Sequence, residues 1–149
     1  MSKPLINHLC IATLLASLAG SVFAIEYCAT TRNDVILYDA PSEKSDKRFI
    51  LSAFIPHEIL AEQGTWLRVR DRDGTLAWLP KADCGPKRYV QVNRLAEIRK
   101  EANSKSPLLF KAERNVVIEL LQDTRSGWLK IKHRDGAIGY IRIEDVWGA

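Results

Sequence analysis

Three cysteines and three histidines are the side chains in this 149-residue sequence that could begin nucleophilic or metal chemistry. A thiol enzyme needs a free Cys beside a His that takes its proton. Cys10 and His8 fall in an apolar N-terminal stretch, which leaves Cys28, Cys84, His57 and His133. No His-Glu-x-x-His, Cys-x-x-Cys or calcium-loop spacing occurs, so no metal site is expected. No glycine-rich phosphate loop is present, and no cofactor is expected. Carboxylates are scattered, and Asp71, Asp73 and Asp135 read as turn residues. Catalytic chemistry is therefore hard to assemble. Binding chemistry is not: Tyr38, Trp66, Trp78, Trp128 and Tyr140 carry large faces that lose little entropy on contact.

The elements that must position these residues begin after the first 24. Lys3 gives a positive start, and Leu9 to Val22 is apolar and uncharged. Val22-Phe23-Ala24 has small residues at the −3 and −1 positions of a cleavage site. This is the pattern of a secretory signal peptide over residues 1–24, cut after Ala24. The apolar run is short for a membrane span, so no stable anchor is expected once it is removed. His8-Leu9 before Cys10 are not the small residues a lipid-attachment site needs, so Cys10 does not fit one. Without Lys3 the chain carries 21 basic against 18 acidic residues, a net charge of +3. Apolar residues at 46% and charged residues at 27% fit a folded soluble chain.

The remaining chain repeats itself. Trp66-Leu67-Arg68-Val69-Arg70-Asp71-Arg72-Asp73-Gly74 aligns with Trp128-Leu129-Lys130-Ile131-Lys132-His133-Arg134-Asp135-Gly136. One offset then extends gaplessly over about fifty residues, pairing Ile36 with Ile98, Ile55 with Val117, Ile59 with Leu121 and Asp83 with Asp145. Leu67 and Val69, like Leu129 and Ile131, alternate with charged neighbours, the period of a half-buried strand. Asp73-Gly74 and Asp135-Gly136 are hairpin signals, because glycine accepts positive φ cheaply. Further strands are expected at Val35–Tyr38, Phe49–Leu51, Phe54–Leu60 and Thr75–Leu79. Their counterparts are Leu95–Arg99, Leu108–Phe110, Val116–Leu121 and Ala137–Ile143. Gly85-Pro86 marks the boundary, since proline cannot donate a ladder hydrogen bond. The organisation is all-β: modules at 25–85 and 86–149 after the signal peptide.

Each module resembles the bacterial SH3 domain. The resemblance rests on Trp66-Leu67-Arg68-Val69, Gly74 and Ala77-Trp78-Leu79 in the first copy. In the second it rests on Gly127-Trp128-Leu129-Lys130-Ile131, Gly136, Gly139-Tyr140-Ile141 and Val146. It covers residues 30–149 and implies two tandem small SH3-like β-barrels of five or six strands each. The first module departs from the pattern at Thr65 and Ala77, where the family carries glycine.

In a small barrel the two ends come together, which points to a Cys28–Cys84 disulfide in an exported protein. Leu67 and Val69 face the core, so Trp66 and Arg68 lean outward. A three-residue turn would set Arg68 opposite Trp78, and a two-residue turn would set Val69 there. The ligand-contact candidates are Tyr38, Trp66, Arg68, Trp78, Trp128 and Tyr140, although each Trp could instead cap its own barrel. Trp147 is expected at the interface between modules. The basic faces Arg68-Arg70-Arg72 and Lys130-Lys132-Arg134 would suit nucleic acid in a cytoplasmic protein. Export sets that partner aside and leaves a solvated face or contact with an anionic wall polymer. Bacterial SH3-like domains often hold wall peptides or protein segments. The resemblance thus implies a non-enzymatic periplasmic or secreted protein that engages peptidoglycan or an envelope protein or peptide. The rival expectation is an assembly partner of an envelope complex without wall binding.

Overall fold

The computed structural model describes residues 24–149. The signal-peptide reading of residues 1–24 therefore lies outside the described residues, apart from Ala24. Among the described residues no helix is long and apolar enough to cross a membrane.

The first module consists of β1 (Glu26–Thr30), β2 (Val35–Tyr38), β3 (Lys47–Leu51), β4 (Pro56–Gln63), β5 (Trp66–Arg70), β6 (Leu76–Pro80) and β7 (Cys84–Gly85). The second repeats it as β8 (Tyr89–Val92), β9 (Ala96–Arg99), β10 (Leu108–Ala112), β11 (Val117–Asp123), β12 (Trp128–Lys132), β13 (Ile138–Arg142) and β14 (Val146–Trp147). Each module is thus one sheet of seven strands, two of them at its ends missed by the sequence reading. The strand orders β3-β2-β6-β5-β4-β1-β7 and β10-β9-β13-β12-β11-β8-β14 are the same topology twice. A single 3-10 turn, Lys81–Asp83 or Ile143–Asp145, precedes each last strand.

Leu67 and Val69 alternate inward with exposed Arg68 and Arg70 between them, so period two builds the strand as expected. They join Val35, Leu37, Ala77 and Leu79 in the first core. The second core is larger and holds Val90, Ile98, Ile118, Leu129, Ile131 and Ile141 among others. The β5–β6 connection has three residues: Asp71 N–H donates to Thr75 O, and Gly74 sits at φ 87°. That register sets Arg68 opposite Trp78. The second hairpin does the same with Lys130 opposite Tyr140.

The repeat is not gapless. Leu37 pairs with Phe49 and Ile98 pairs with Phe110 at equivalent places, so Ile98 answers to Leu37 rather than Ile36. Likewise Ile59 pairs with Val69 and Leu120 with Ile131, so Leu120 replaces Leu121 as the counterpart of Ile59. The loop after the first strand is one residue shorter in the second module, and the β11–β12 turn is one residue longer. The two shifts cancel, which hid them from a comparison anchored on the tryptophans. They also account for Thr65: in the shorter β4–β5 turn the left-handed position falls on Gly64 (φ 58°), whereas the longer turn places it at Arg125 and again at Gly127. Ala77 has its own cause. A Cβ on Gly139 would lie 2.5 Å from the branched Cγ2 of Ile98. Leu37 has no branch at Cβ, and its module accommodates Ala77 in the core.

Cys28 and Cys84 form a disulfide across a sequence separation of 56, with Cα atoms 5.5 Å apart. It ties β1 to the end of the barrel beside the β1–β7 pairing. The equivalent places in the second module carry Val90 and Val146, both buried. The modules meet in a seam of aromatic pairs. Tyr27 meets Trp147 edge-on at 5.3 Å, and Phe54 stacks on Tyr89 at 4.7 Å. Trp147 therefore stands at the interface, as expected. Arg88 lies over the Tyr27 ring and donates to Gly148 O at 2.8 Å.

Candidate functional site

The outer face of β5, β6 and β2 gathers the first-module candidates. Tyr38 and Arg68 both lie in register with Trp78, and the Tyr38 and Trp66 rings meet edge-on at 5.3 Å and 88°. This is the favoured approach of a ring edge to a ring face. Tyr38 is only 7% exposed. Its ring thus buttresses Trp66 instead of presenting a face of its own. Trp66 stays partly exposed and lies opposite Pro80.

These two residues floor a groove of about 610 Å³. Its far wall is Pro41, Ser42 and Glu43, and the Gly64-Thr65 turn closes one end. The wall is held in place by its own hydrogen bonds. Asp39 N–H donates to Asp46 O at 3.0 Å, and Ser45 Oγ donates to Ser42 O at 2.7 Å while accepting from Ala40 N–H. An Arg48–Asp39 ion pair of 2.9 Å closes its neck. The groove is therefore pre-formed, with apolar tryptophan and proline on its floor and Glu43 and Lys81 at its rim.

The same place in the second module is built differently. Arg99 stands where Tyr38 stands, and Arg142 where Pro80 stands. The Arg142 guanidinium lies 4.8 Å over the Trp128 ring, and Trp128 is 7% exposed. Arg99 is drawn sideways by an ion pair to Glu97 and by a 2.8 Å bond from Nη1 to Ser106 O. The remaining cleft is about 260 Å³. Tyr140 is partly exposed on the outer face between Lys130 and Arg99. The structure thus brings Tyr38, Trp66, Arg68 and Trp78 together on one outer face, where of these four Trp66 alone lines the open groove, and it places Trp128 beneath a cationic lid. The groove residues Pro41, Ser42, Glu43 and Pro80 escaped sequence reading. The signal for Pro80 was its register with Trp66, which follows once the hairpin turn is known to hold three residues.

His57 is 1% exposed, its Nδ1 bonds Ile55 O at 3.1 Å, and its Nε2 has no partner. Burial lowers its pKa below the ordinary histidine value, against the smaller opposing effects of the Ile55 carbonyl and Asp71. His133 bonds Asp135, whose carboxyl is held below the usual range chiefly by the Ala137 N–H and then by His133. Among the described residues no cluster of three or more His, Cys, Asp or Glu side chains is placed to hold a metal ion. The basic stripes differ too. Arg70 is paired with Glu58 and Arg72 reaches Val92 O, whereas Arg68, Lys130, Lys132 and Arg134 have no carboxylate partner among the described residues.

The chain belongs to the bacterial SH3 domain family, which it matches twice, at residues 31–83 and 92–148. No curated protein matched the chain. Among solved structures it is similar to NlpC1 from Trichomonas vaginalis, at 19% identity and a TM-score of 0.39. That alignment covers 91% of this chain and 50% of the other. NlpC2 from the same organism is similar at 16% identity and a TM-score of 0.38, over 83% of this chain and 48% of that one. An NlpC/P60 family protein from Bacillus cereus is similar at 12% and 0.38, over 82% and 56%. The chain thus spans about half the length of these structures.

Proposed function

We propose that this chain is a non-catalytic binding or adaptor protein of the cell envelope, and that its first module does the binding. The ligand in this reading is an extended segment of peptidoglycan or of an envelope protein, laid across Trp66 and Pro80. The observation that carries it is the contrast between modules: Trp66 is open above a pre-formed groove, while Arg142 covers Trp128. A rigid aromatic floor with few polar groups at the rim is what recognition sites commonly provide. The non-catalytic part is supported by the disulfide, which consumes Cys28 and Cys84, and by the enclosure of His57. The periplasmic or secreted location rests on the N-terminal pattern and on the family.

The test is sedimentation of the protein with isolated peptidoglycan at moderate salt. Pelleting is expected, and Trp66→Ala is expected to remove it while leaving the melting temperature of the second module in place. Trp128→Ala is expected to change pelleting little. Protein left in the supernatant would reject the wall ligand and leave an envelope protein, sought by crosslinking, as the partner.

A further inference from the structure

A second cleft lies in the seam between the modules, away from Trp66. It encloses about 680 Å³, more than the groove on the first module. One wall is the Ser52–Ile55 loop of the first module, and the other is the β10–β11 turn and the end of β12 in the second. Both turns place a residue in the left-handed region at the equivalent position, Phe54 (φ 69°) and Asn115 (φ 74°). Asparagine tolerates that conformation, and a large aromatic residue rarely adopts it. Here the conformation aims the Phe54 ring across the seam, where it stacks on Tyr89 at 4.7 Å and 22° and stays 43% exposed. The backbone N–H groups of the loop are already engaged: Phe54 donates to Thr30 O, Ile55 to Thr30 Oγ1 and Ala53 to Asn33 Oδ1. Side chains must therefore do any recognition.

Their charges are unbalanced. The only carboxylate lining the cleft, Glu119, is paired with Lys87 at 3.0 Å. Lys132, which lies opposite Glu119 in the ladder, and Arg134 line the same cleft with no ion pair to a carboxylate among the described residues, and His133, bonded to Asp135, stands between them. A cleft with an aromatic floor and two free cations matches a ligand that joins an apolar side chain to carboxylates. We infer that the seam cleft binds an acidic peptide, with an apolar side chain on the Phe54–Tyr89 stack and carboxylates on Lys132 and Arg134. This site is independent of the Trp66 groove, and an occupant would touch both modules at once.

The test is an NMR titration of the 15N-labelled protein with the blocked tripeptide acetyl-Phe-Glu-Glu-amide and with its glutamine counterpart. The glutamate peptide is expected to shift Phe54, Tyr89, Val116 and His133. The glutamine peptide should bind about tenfold more weakly or less, the ratio that one charge-assisted hydrogen bond supplies. Lys132→Gln with Arg134→Gln should erase that preference while the spectrum stays dispersed, and Trp66→Ala should leave it intact. Equal binding of the two peptides, shifts centred on Trp66 and Pro80, or no shift at millimolar peptide would each overturn the inference.

Discussion

Replacing Cys28 and Cys84 together by valine isolates what the disulfide contributes. Valine is the natural choice, because Val90 and Val146 occupy the same two positions in the second barrel and pack there without a bond. The substitution keeps apolar volume and removes only the covalent link. Closing a loop with a sequence separation of 56 restricts the unfolded chain. On the chain-entropy argument this stabilises the fold by about 4 kcal/mol. For a unit of this size each kcal/mol moves the melting temperature by about 4–8 °C, so the first module should melt about 15–30 °C lower. Calorimetry of oxidised protein, reduced protein and the double valine variant makes the comparison. Reduced and variant proteins should melt together, and both well below the oxidised form. Tryptophan fluorescence reports which module opens, since Trp66 and Trp78 lie in the first and Trp128 and Trp147 in the second. Oxidised wild type and variant melting within a few degrees of each other would refute the reasoning. It would show that packing of the first barrel suffices without the link.

Three other outcomes follow from named contacts. His57 is buried and its folded pKa is lowered, so its contribution to stability is complete above the unfolded value near 6.5 and is lost as pH falls below it, at up to about 1.4 kcal/mol per pH unit until the folded pKa is reached. His57→Ile, which copies Ile118 at the same place in the second module, should flatten the denaturant midpoint between pH 6.5 and 5 relative to wild type. Gly139→Ala should cost about 1–3 kcal/mol by overpacking against Ile98 and Arg99 O, and Ile98→Leu should recover part of it in a double-mutant cycle. Arg142→Pro should uncover Trp128 and raise acrylamide quenching of its fluorescence while changing stability by no more than about 1 kcal/mol, the worth of an exposed cation–π contact.

The strands were legible where one face is buried and the other charged. Leu67-Arg68-Val69-Arg70 and Leu129-Lys130-Ile131-Lys132 announce themselves by alternation, and both are strands with Leu67, Val69, Leu129 and Ile131 inward. β1 and β8 were missed because Cys28-Ala29-Thr30 and Tyr89-Val90 are buried in succession, which breaks the period. The ring positions were legible but their exposure was not. Tyr38 and Trp128 lie on the outer face that alternation assigns them and are buried there, Tyr38 by Trp66 across the intervening β6 and Trp128 by Arg142 on the neighbouring strand. Burial of that kind depends on register, and register depends on turn length. The one-residue exchange between the loop after β1 and the β4–β5 turn shows why: it conserves the overall offset, so periodicity alone does not reveal it.

Position by position, the two barrels have divided the demands that one small barrel must meet. The second places ten residues in its buried core against seven in the first. A module of this size buries a limited apolar surface and has little stability to spare. The larger core lets the second module hold Val90 and Val146 unlinked, and the smaller core of the first is joined by Cys28–Cys84 instead. The same division runs through the outer face. Tyr38 and Pro80 of the first keep Trp66 upright and uncovered, and the arginines that replace them in the second turn Trp128 into part of its wall. A second barrel closed in this way still supports the first from the side. The seam shows that it does: a Cβ on Gly148 would lie 3.0 Å from Pro56, and the Tyr27–Trp147 and Phe54–Tyr89 pairs lock the two sheets together. The staple and the seam both act through β1, where Cys28 carries the first and its neighbour Tyr27 the second.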